Sequence, residues 1–223
     1  MVREHGSVGA ESAAFAQTLG TLKRQGSNIL LVGTSTSGAH EAVCHRLRGE
    51  VESGAEPGTD TRYRLFVTDT VDGCSIRENE TETSRTIEYA DMDLAPESNA
   101  PRADNRTPLS TLGIEIIETI DAFDEDADGL EAAELRVCID SLVRLLHEYD
   151  TERVFRLLHM TTSRVEHARG MGHYHLPLER DHDAVNLLEP MFDAIVELRA
   201  RGEEYEQQWY LCDRDTTTEW IPI

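Results

Sequence analysis

A short apolar run followed by two glycines five residues apart constrains the fold more than any other feature of this sequence. The run covers residues 29–32, and the glycines are Gly33 and Gly38. Such a run ending at a glycine predicts a strand that is buried on both faces of a parallel sheet. The apolar spacing of residues 42–51 then predicts a helix that ends near Gly54. Strand, glycine loop and helix together predict the start of a βαβ unit.

The loop has the glycine spacing of a phosphate-binding P-loop but lacks two of its side chains. In G-x-x-x-x-G-K-[ST], backbone N–H groups surround phosphate, the lysine contacts the terminal phosphates and the hydroxyl binds Mg²⁺. Ala39 stands at the lysine position and His40 at the hydroxyl position, and the chain's one lysine, Lys23, precedes the strand. Imidazole is a poor ligand for a hard cation. We therefore expect weak nucleotide binding, or a turn that meets no phosphate.

The eight loop residues are the candidate nucleotide-binding residues. They are Gly33, Thr34, Ser35, Thr36, Ser37, Gly38, Ala39 and His40.

A second buried run ends in an acid. Residues 135–139 are mostly apolar, and Asp140 follows them directly. In P-loop proteins, an acid at the carboxyl end of a neighbouring strand helps to hold the Mg²⁺ shell. The alternative is an aspartate that caps the next turn.

Strands and helices alternate along the rest of the chain, which predicts a doubly wound α/β sheet. The length of 223 residues suits one domain, at residues 27–223, after a helical lead-in at residues 1–26. Further strands are expected at residues 64–68 and 85–89, and another that residues 170–172 lead into and that runs through Leu176. Helices are expected at 10–24, 110–123, 151–167 and 185–192, and a closing β-hairpin around 201–203.

The charge narrows the choice of partners. The chain has 43 acidic and 21 basic residues and a formal net charge of -22. Such a surface disfavours nucleic acid and anionic membranes, whose binding depends on Lys and Arg. Acidic bias with almost no lysine is typical of extreme halophiles, and the alternative is an ordinary acidic cytoplasmic protein.

The absence of a long apolar run predicts no membrane span and a cytoplasmic location. The four cysteines form no C-x-x-C pair and are expected to be buried or incidental thiols.

Two weaker patterns concern metals. Asp124, Asp126 and Asp128 match the first half of an EF-hand loop, but position 12 is Leu135. His173 and His175 share one face of a predicted strand, with His182 a few residues beyond. These three could bind a transition metal, or could be ordinary strand-end and surface histidines.

Several segments resemble the RecA superfamily in its KaiC-like branch, and within it KaiC/GvpD-like proteins of halophilic archaea. The resemblance spans the chain from about Leu19 to its end. The segments are residues 27–33, 67–68, 136–142, 153–159 and 218–222. The resemblance implies a RecA-like P-loop NTPase fold, with a mostly parallel sheet flanked by helices and a C-terminal β-hairpin.

The resemblance also implies an ATPase site that this chain only partly retains. Residues 33–40 would be its Walker A loop and Asp140 its Walker B acid. Active members carry a catalytic glutamate after the second strand, where this chain offers only Asp69 or Asp72. We therefore expect an inefficient ATPase, with ATP and Mg²⁺ as doubtful cofactors, that regulates or signals through protein partners. The alternatives are a slow ATPase completed by a neighbouring subunit of a homo-oligomer, and a DNA-repair accessory factor.

Overall fold

The computed structural model describes residues 5–34, 37–49, 62–69, 81–89 and 108–223. The helices are α1 (His5–Gln25), α2 (Ser37–Arg48), α3 (Pro108–Asp126), α4 (Leu142–Glu148), α5 (Thr151–His167) and α6 (Asp183–Leu188). The strands are β1 (Ser27–Val32), β2 (Tyr63–Thr68), β3 (Ser84–Glu88), β4 (Leu135–Asp140), β5 (Met171–Leu176), β6 (Ala194–Arg201), β7 (Glu204–Leu211), β8 (Thr216–Thr217) and β9 (Ile221–Pro222).

The described strands form one sheet in the order β3-β2-β4-β5-β1-β6-β7-β8, with β9 also paired to β7. Strands β1 to β6 run parallel, and β7 returns antiparallel to β6 through a turn at Gly202. The mostly parallel sheet flanked by helices and the C-terminal hairpin are as predicted. Strand β5 lies between β1 and β4, so the glycine loop and Asp140 follow strands that are not direct neighbours.

One face of the sheet carries the larger apolar core. Alternate residues of the central strands, among them Leu30, Val137 and Tyr174, pack with α3, α4 and α5. These helices present apolar faces of the expected helical period, such as Leu112 and Ile116 on α3. Every central strand is therefore covered on this side, as a parallel sheet requires.

The opposite face is covered by α1 and α2 and is partly polar. Ile29 and Leu31 of β1 pack there with Val43 of α2. On β4 and β5 the same side carries polar or sulfur-containing residues instead, and all of them are buried. They are Arg136, Cys138, Met171, His173 and His175.

Two arginines of the sheet hold the C-terminal end of α2 in place. Arg136 donates a hydrogen bond to the Leu47 carbonyl at 3.2 Å, and Arg64 donates to the Arg48 carbonyl at 3.4 Å. The last carbonyls of a helix lack partners within the helix and carry partial negative charge. Cationic donors from β2 and β4 satisfy them and fix the position of α2 over the sheet.

Some predicted boundaries were wrong. Helix α2 ends at Arg48, earlier than predicted, because Gly49 adopts a left-handed conformation with φ 73° that stops the helix. The helix predicted at 185–192 is α6 followed by a 3-10 turn at Glu189–Met191, and Pro190 in that turn cannot donate to an α-helical ladder. Helix α4 was not predicted.

Several predictions fall on residues outside the described ranges. Ser35, Thr36 and Asp72 are among them, as is most of the segment between β3 and α3. Within the described ranges, no helix has the length and apolar character needed to cross a membrane.

Gly33→Ala tests the tight junction between β1 and the loop. Gly33 has φ 124°, and a Cβ built on it would lie 2.2 Å from the Leu198 carbonyl oxygen of the neighbouring strand. We expect this substitution to lower the free energy of unfolding by roughly 3 kcal/mol or more, since backbone must shift to relieve the clash. Urea unfolding in molar KCl measures the change.

Gly129→Ala is the matched control. Gly129 also has positive φ, at 102°, but an added Cβ would meet nothing within 4 Å. It should cost about 1–2 kcal/mol from backbone strain alone. Equal losses in the two variants would show that the contact with Leu198 does not constrain the loop.

Candidate functional site

The glycine loop lies at the carboxyl edge of the sheet, between β1 and α2. This edge is where doubly wound sheets bind ligands. The Gly33 N–H donates to the Leu178 carbonyl at 2.8 Å, just beyond the end of β5. Thr34 is exposed. The first amide of the loop is therefore engaged within the protein.

Ala39, at the lysine position of the P-loop pattern, faces the sheet. Its side chain is fully buried in the apolar cluster that also contains Leu31, Val43 and Val196. Ala39 thus belongs to the contact between α2 and the sheet. A longer charged side chain at this position would have to displace that packing or turn α2.

His40, at the hydroxyl position, is buried and points inward. Its Nε2 lies 3.0 Å from the Gly33 carbonyl oxygen, and its Nδ1 lies 3.1 Å from Nδ1 of His175. The ring therefore connects the first residue of the loop to strand β5. A side chain held in this way does not project toward a bound cation.

The C-terminal hairpin closes over the second glycine. A Cβ on Gly38 would lie 2.5 Å from the Tyr205 hydroxyl oxygen, so the tyrosine side chain occupies the space against this end of the loop. Leu198 of the same hairpin approaches Gly33. Strands β6 and β7 thus contact the loop at both of its glycines.

A concavity of about 360 Å³ opens beside the loop. Three carboxylates line it, those of Glu179, Asp181 and Glu197. Arg180 and Arg199 also line it, and they form ion pairs with Glu189 and Glu206 at 2.8 and 2.7 Å. The acids outnumber the cations along the wall, and both cations are paired with acids.

Asp140 and Asp69 meet at the carboxyl edge of β2 and β4. Asp140 pairs with Thr68 across the two strands, and the Asp69 N–H lies 3.3 Å from the Asp140 carbonyl oxygen. The nearby Tyr89 hydroxyl donates to the Ser141 carbonyl at 2.8 Å. Burial raises the pKa of Tyr89 above its usual value, and the negative charges of Asp69 and Asp140 add to this shift. The structure therefore brings together two of the predicted acids.

The alternative role for Asp140 was to cap the turn that follows β4. In the structure Ser141 fills that role. The Ser141 Oγ accepts a hydrogen bond from the Val143 N–H and caps α4. Asp140 is thus the strand-end acid, and the residue after it is the cap.

A buried cluster of two cysteines and two histidines lies beneath α2. Cys44 of α2 approaches Cys138 of β4, with the sulfur atoms 3.6 Å apart, and its sulfur lies 3.2 Å from Nε2 of His173. His175 completes the group, and the four ligand atoms lie within 4.8 Å of one another. All four side chains are at most 1% exposed. Thiols and imidazoles in this number are the usual donors for a tetrahedral transition metal.

The sequence indicated only half of this cluster. His173 and His175 share a strand face as predicted, but His182 lies apart, where it caps α6 by accepting from the Ala184 N–H at 3.1 Å. Cys44 and Cys138 are 94 residues apart in the chain, so no local motif joins them. One signal for the missing ligands was present in the sequence. Two histidines lie on one face of a strand that is expected to be buried, and buried imidazole rings require partners inside the protein.

The acidic segment at the end of α3 forms a turn of a different kind from an EF-hand. The Asp124 carboxylate accepts from the Leu130 N–H at 2.9 Å and lies 3.7 Å from an Arg164 nitrogen. Asp126 is the last residue of α3, and Asp128 follows with a left-handed φ of 55°. Strand β4, not a second helix, comes next.

Among the comparisons with known proteins, the likeness to solved structures bears on the fold. No curated protein matches the chain in sequence. The chain is similar to a solved structure, the KaiC-like protein PH0186 from the hyperthermophilic archaeon Pyrococcus horikoshii. That likeness has a TM-score of 0.51 at 12% identity and covers 89% of this chain and 85% of the other. It supports a RecA-like fold.

The model of a family described as of unknown function, DUF7504, matches residues 26–198. These residues include the glycine loop, Asp140 and the cysteine and histidine cluster. The chain belongs to this family of unknown function, DUF7504.

Proposed function

We propose that this protein is a RecA/KaiC-like domain with a degenerate Walker A loop, one that does not hydrolyse ATP efficiently and regulates or signals through protein contacts. One observation carries the proposal. The residue at the Mg²⁺-binding position, His40, is hydrogen-bonded to the Gly33 carbonyl and lies 3.1 Å from His175. The loop is thus braced internally at the point where a P-loop would hold its cation.

The absent lysine supports the same conclusion. A hydrogen bond to a charged group contributes about 1.5–3 kcal/mol, so its loss weakens binding roughly 10- to 100-fold. Phosphoryl transfer depends on positioning and charge stabilisation, so its rate should suffer more than binding does. Ala39 is buried in the core and supplies neither the positive charge nor the hydrogen bond of the lysine.

The charge around the loop also disfavours a polyphosphate. Glu179, Asp181 and Glu197 face the concavity beside Gly33. A triphosphate brought there would meet carboxylates, and recruiting Arg180 or Arg199 would break their ion pairs with acids. The net charge of -22 similarly disfavours a phosphate backbone as a partner. Protein surfaces are the remaining class of macromolecular partner, and we propose that class.

Thermal unfolding with and without Mg-ATP in molar KCl tests the loss of nucleotide binding. A ligand at 100 times its Kd adds about 2.7 kcal/mol, or roughly 5–10 °C for a chain of this size. We expect no resolvable shift with millimolar Mg-ATP and no phosphate release above buffer. A shift of several degrees that is abolished by Asp140→Asn would contradict this expectation.

The slow ATPase remains the second candidate, because Asp69 and Asp140 lie at one edge of the sheet. It requires a neighbouring subunit to supply the missing cation. Light scattering after size exclusion, with and without Mg-ATP, separates the two candidates. A homo-oligomer that releases phosphate only when assembled supports the ATPase.

Ala39→Lys tests whether the loop can be repaired. We expect the variant to be roughly 3 kcal/mol less stable than the natural chain, since an ammonium would be buried in an apolar cluster. It should also gain no Mg-ATP shift when combined with His40→Thr. Urea unfolding and the nucleotide assay give the two results.

Ala42→Lys is the control on the same helix. Ala42 is half-buried, so a lysine there can reach solvent, and the expected change is below about 1 kcal/mol. Two results together would contradict this expectation: an equally small loss of stability in Ala39→Lys, and binding of Mg-ATP by Ala39→Lys/His40→Thr. The backbone of the loop would then be competent to bind phosphate, and only the lysine and hydroxyl side chains would be missing.

A further inference from the structure

We propose that Cys44, Cys138, His173 and His175 form a closed, structural transition-metal site, with Zn²⁺ as the fitting ion. This inference does not depend on the function proposed above. Two thiolates and two imidazoles are a common donor set for structural zinc, and soft sulfur ligands disfavour Mg²⁺ and Ca²⁺.

Two of the separations between ligand atoms are close to those of a tetrahedral site. With Zn–S near 2.3 Å and Zn–N near 2.0 Å, tetrahedral geometry places two sulfurs about 3.8 Å apart and a sulfur and a nitrogen about 3.5 Å apart. The Cys44 and Cys138 sulfurs are 3.6 Å apart, and the Cys44 sulfur lies 3.2 Å from Nε2 of His173. All four ligand atoms lie within 4.8 Å of one another, so the remaining ligand atoms have to move closer together to complete the coordination.

The fold holds the ligands in place without a metal-binding loop. Cys138 on β4 pairs directly with His173 on β5, and His175 is two residues further along the same face. Helix α2 brings Cys44 from above, and arginine hydrogen bonds to its last carbonyls fix that helix. Three ligands therefore come from paired strands and one from an anchored helix, which is a preorganised arrangement.

The hydrogen bonds of His40 orient His175 for metal binding. The Gly33 carbonyl can only accept, so Nε2 of His40 carries a proton. In the neutral ring, Nδ1 of His40 is then an acceptor, and His175 donates to it from its own Nδ1–H. Nε2 of His175 is left with a lone pair. Metal-bound histidines are usually held in this way by a partner on the other ring nitrogen.

Burial and charge both favour a closed site. All four ligand residues are at most 1% exposed, so the protein supplies the whole coordination sphere and leaves no position for substrate. Zn²⁺ with two thiolates is electrically neutral, which avoids burying net charge. The ion would join α2 to β4 and β5 on the face of the sheet where these strands carry buried polar and sulfur-containing residues.

Metal analysis of the full chain tests the proposal directly. The protein is stripped with a chelator under reducing conditions in molar KCl and then given Zn²⁺ or Co²⁺ alone. We expect one ion per chain, tetrahedral Co²⁺ ligand-field absorption with a sulfur charge-transfer band, and X-ray absorption showing two sulfurs near 2.3 Å and two nitrogens near 2.0 Å from zinc. These measurements on the natural sequence do not depend on any variant folding.

Matched variants locate the site. Cys44→Ser and His175→Asn should each lose stoichiometric metal, whereas Cys212→Ser and His182→Asn should retain it, because those residues lie outside the cluster. His40→Ala should weaken Co²⁺ binding 10- to 100-fold with an unchanged spectrum, since His40 is a positioning residue. His40→Gln, whose amide can still accept from His175, should recover part of the affinity.

Three results would each overturn the proposal. One is less than stoichiometric metal in the natural chain, and another is a Co²⁺ spectrum of octahedral, oxygen-rich type. The third is mass spectrometry showing that Cys44 and Cys138 are joined in a disulfide when the protein is isolated under reducing conditions.

Discussion

The burial of the central strands on both faces is the constraint on which the rest of this structure depends. A polar side chain on such a strand has no access to water and must find its partners inside the protein. On the face toward α3 and α5 the strands meet this constraint with apolar residues. On the face toward α2, Arg64 and Arg136 bond the last carbonyls of the helix, and His173 meets Cys44. The polar contacts of α2 with the sheet follow from this constraint.

The sequence predicted the architecture well because its signals are local. The apolar run before Gly33 and the run before Asp140 each read as a buried strand, and the structure places them as β1 and β4. Helix α4 escaped prediction because it is only seven residues long, with no amphipathic period to detect. Its start is set by Ser141, whose side chain caps the first turn.

The site was less predictable because its parts meet only through the sheet topology. Cys44 and Cys138 come from a helix and a strand whose contact depends on β5 lying between β1 and β4. The sequence points to His173 and His175, whereas His182, which is close to them in the chain, caps α6 instead. Nor does the residue type of His40 reveal that its ring turns toward Gly33 and His175. Spacing finds side chains on one element, whereas strand order decides which elements meet.

Contacts at both ends of the glycine loop have a consequence for its dynamics. The Gly33 N–H donates a hydrogen bond to the Leu178 carbonyl, and the His40 ring donates one to the Gly33 carbonyl. Tyr205 of the C-terminal hairpin packs on Gly38. A loop that exchanges ligands usually opens locally, at a free energy far below that of global unfolding. Here the Gly33 amide cannot open without breaking its hydrogen bond to the Leu178 carbonyl beyond β5, and the chain cannot move at Gly38 without displacing Tyr205 of the hairpin. We therefore expect the Gly33 amide to open together with the sheet, so that its hydrogen exchange reports on the stability of the sheet.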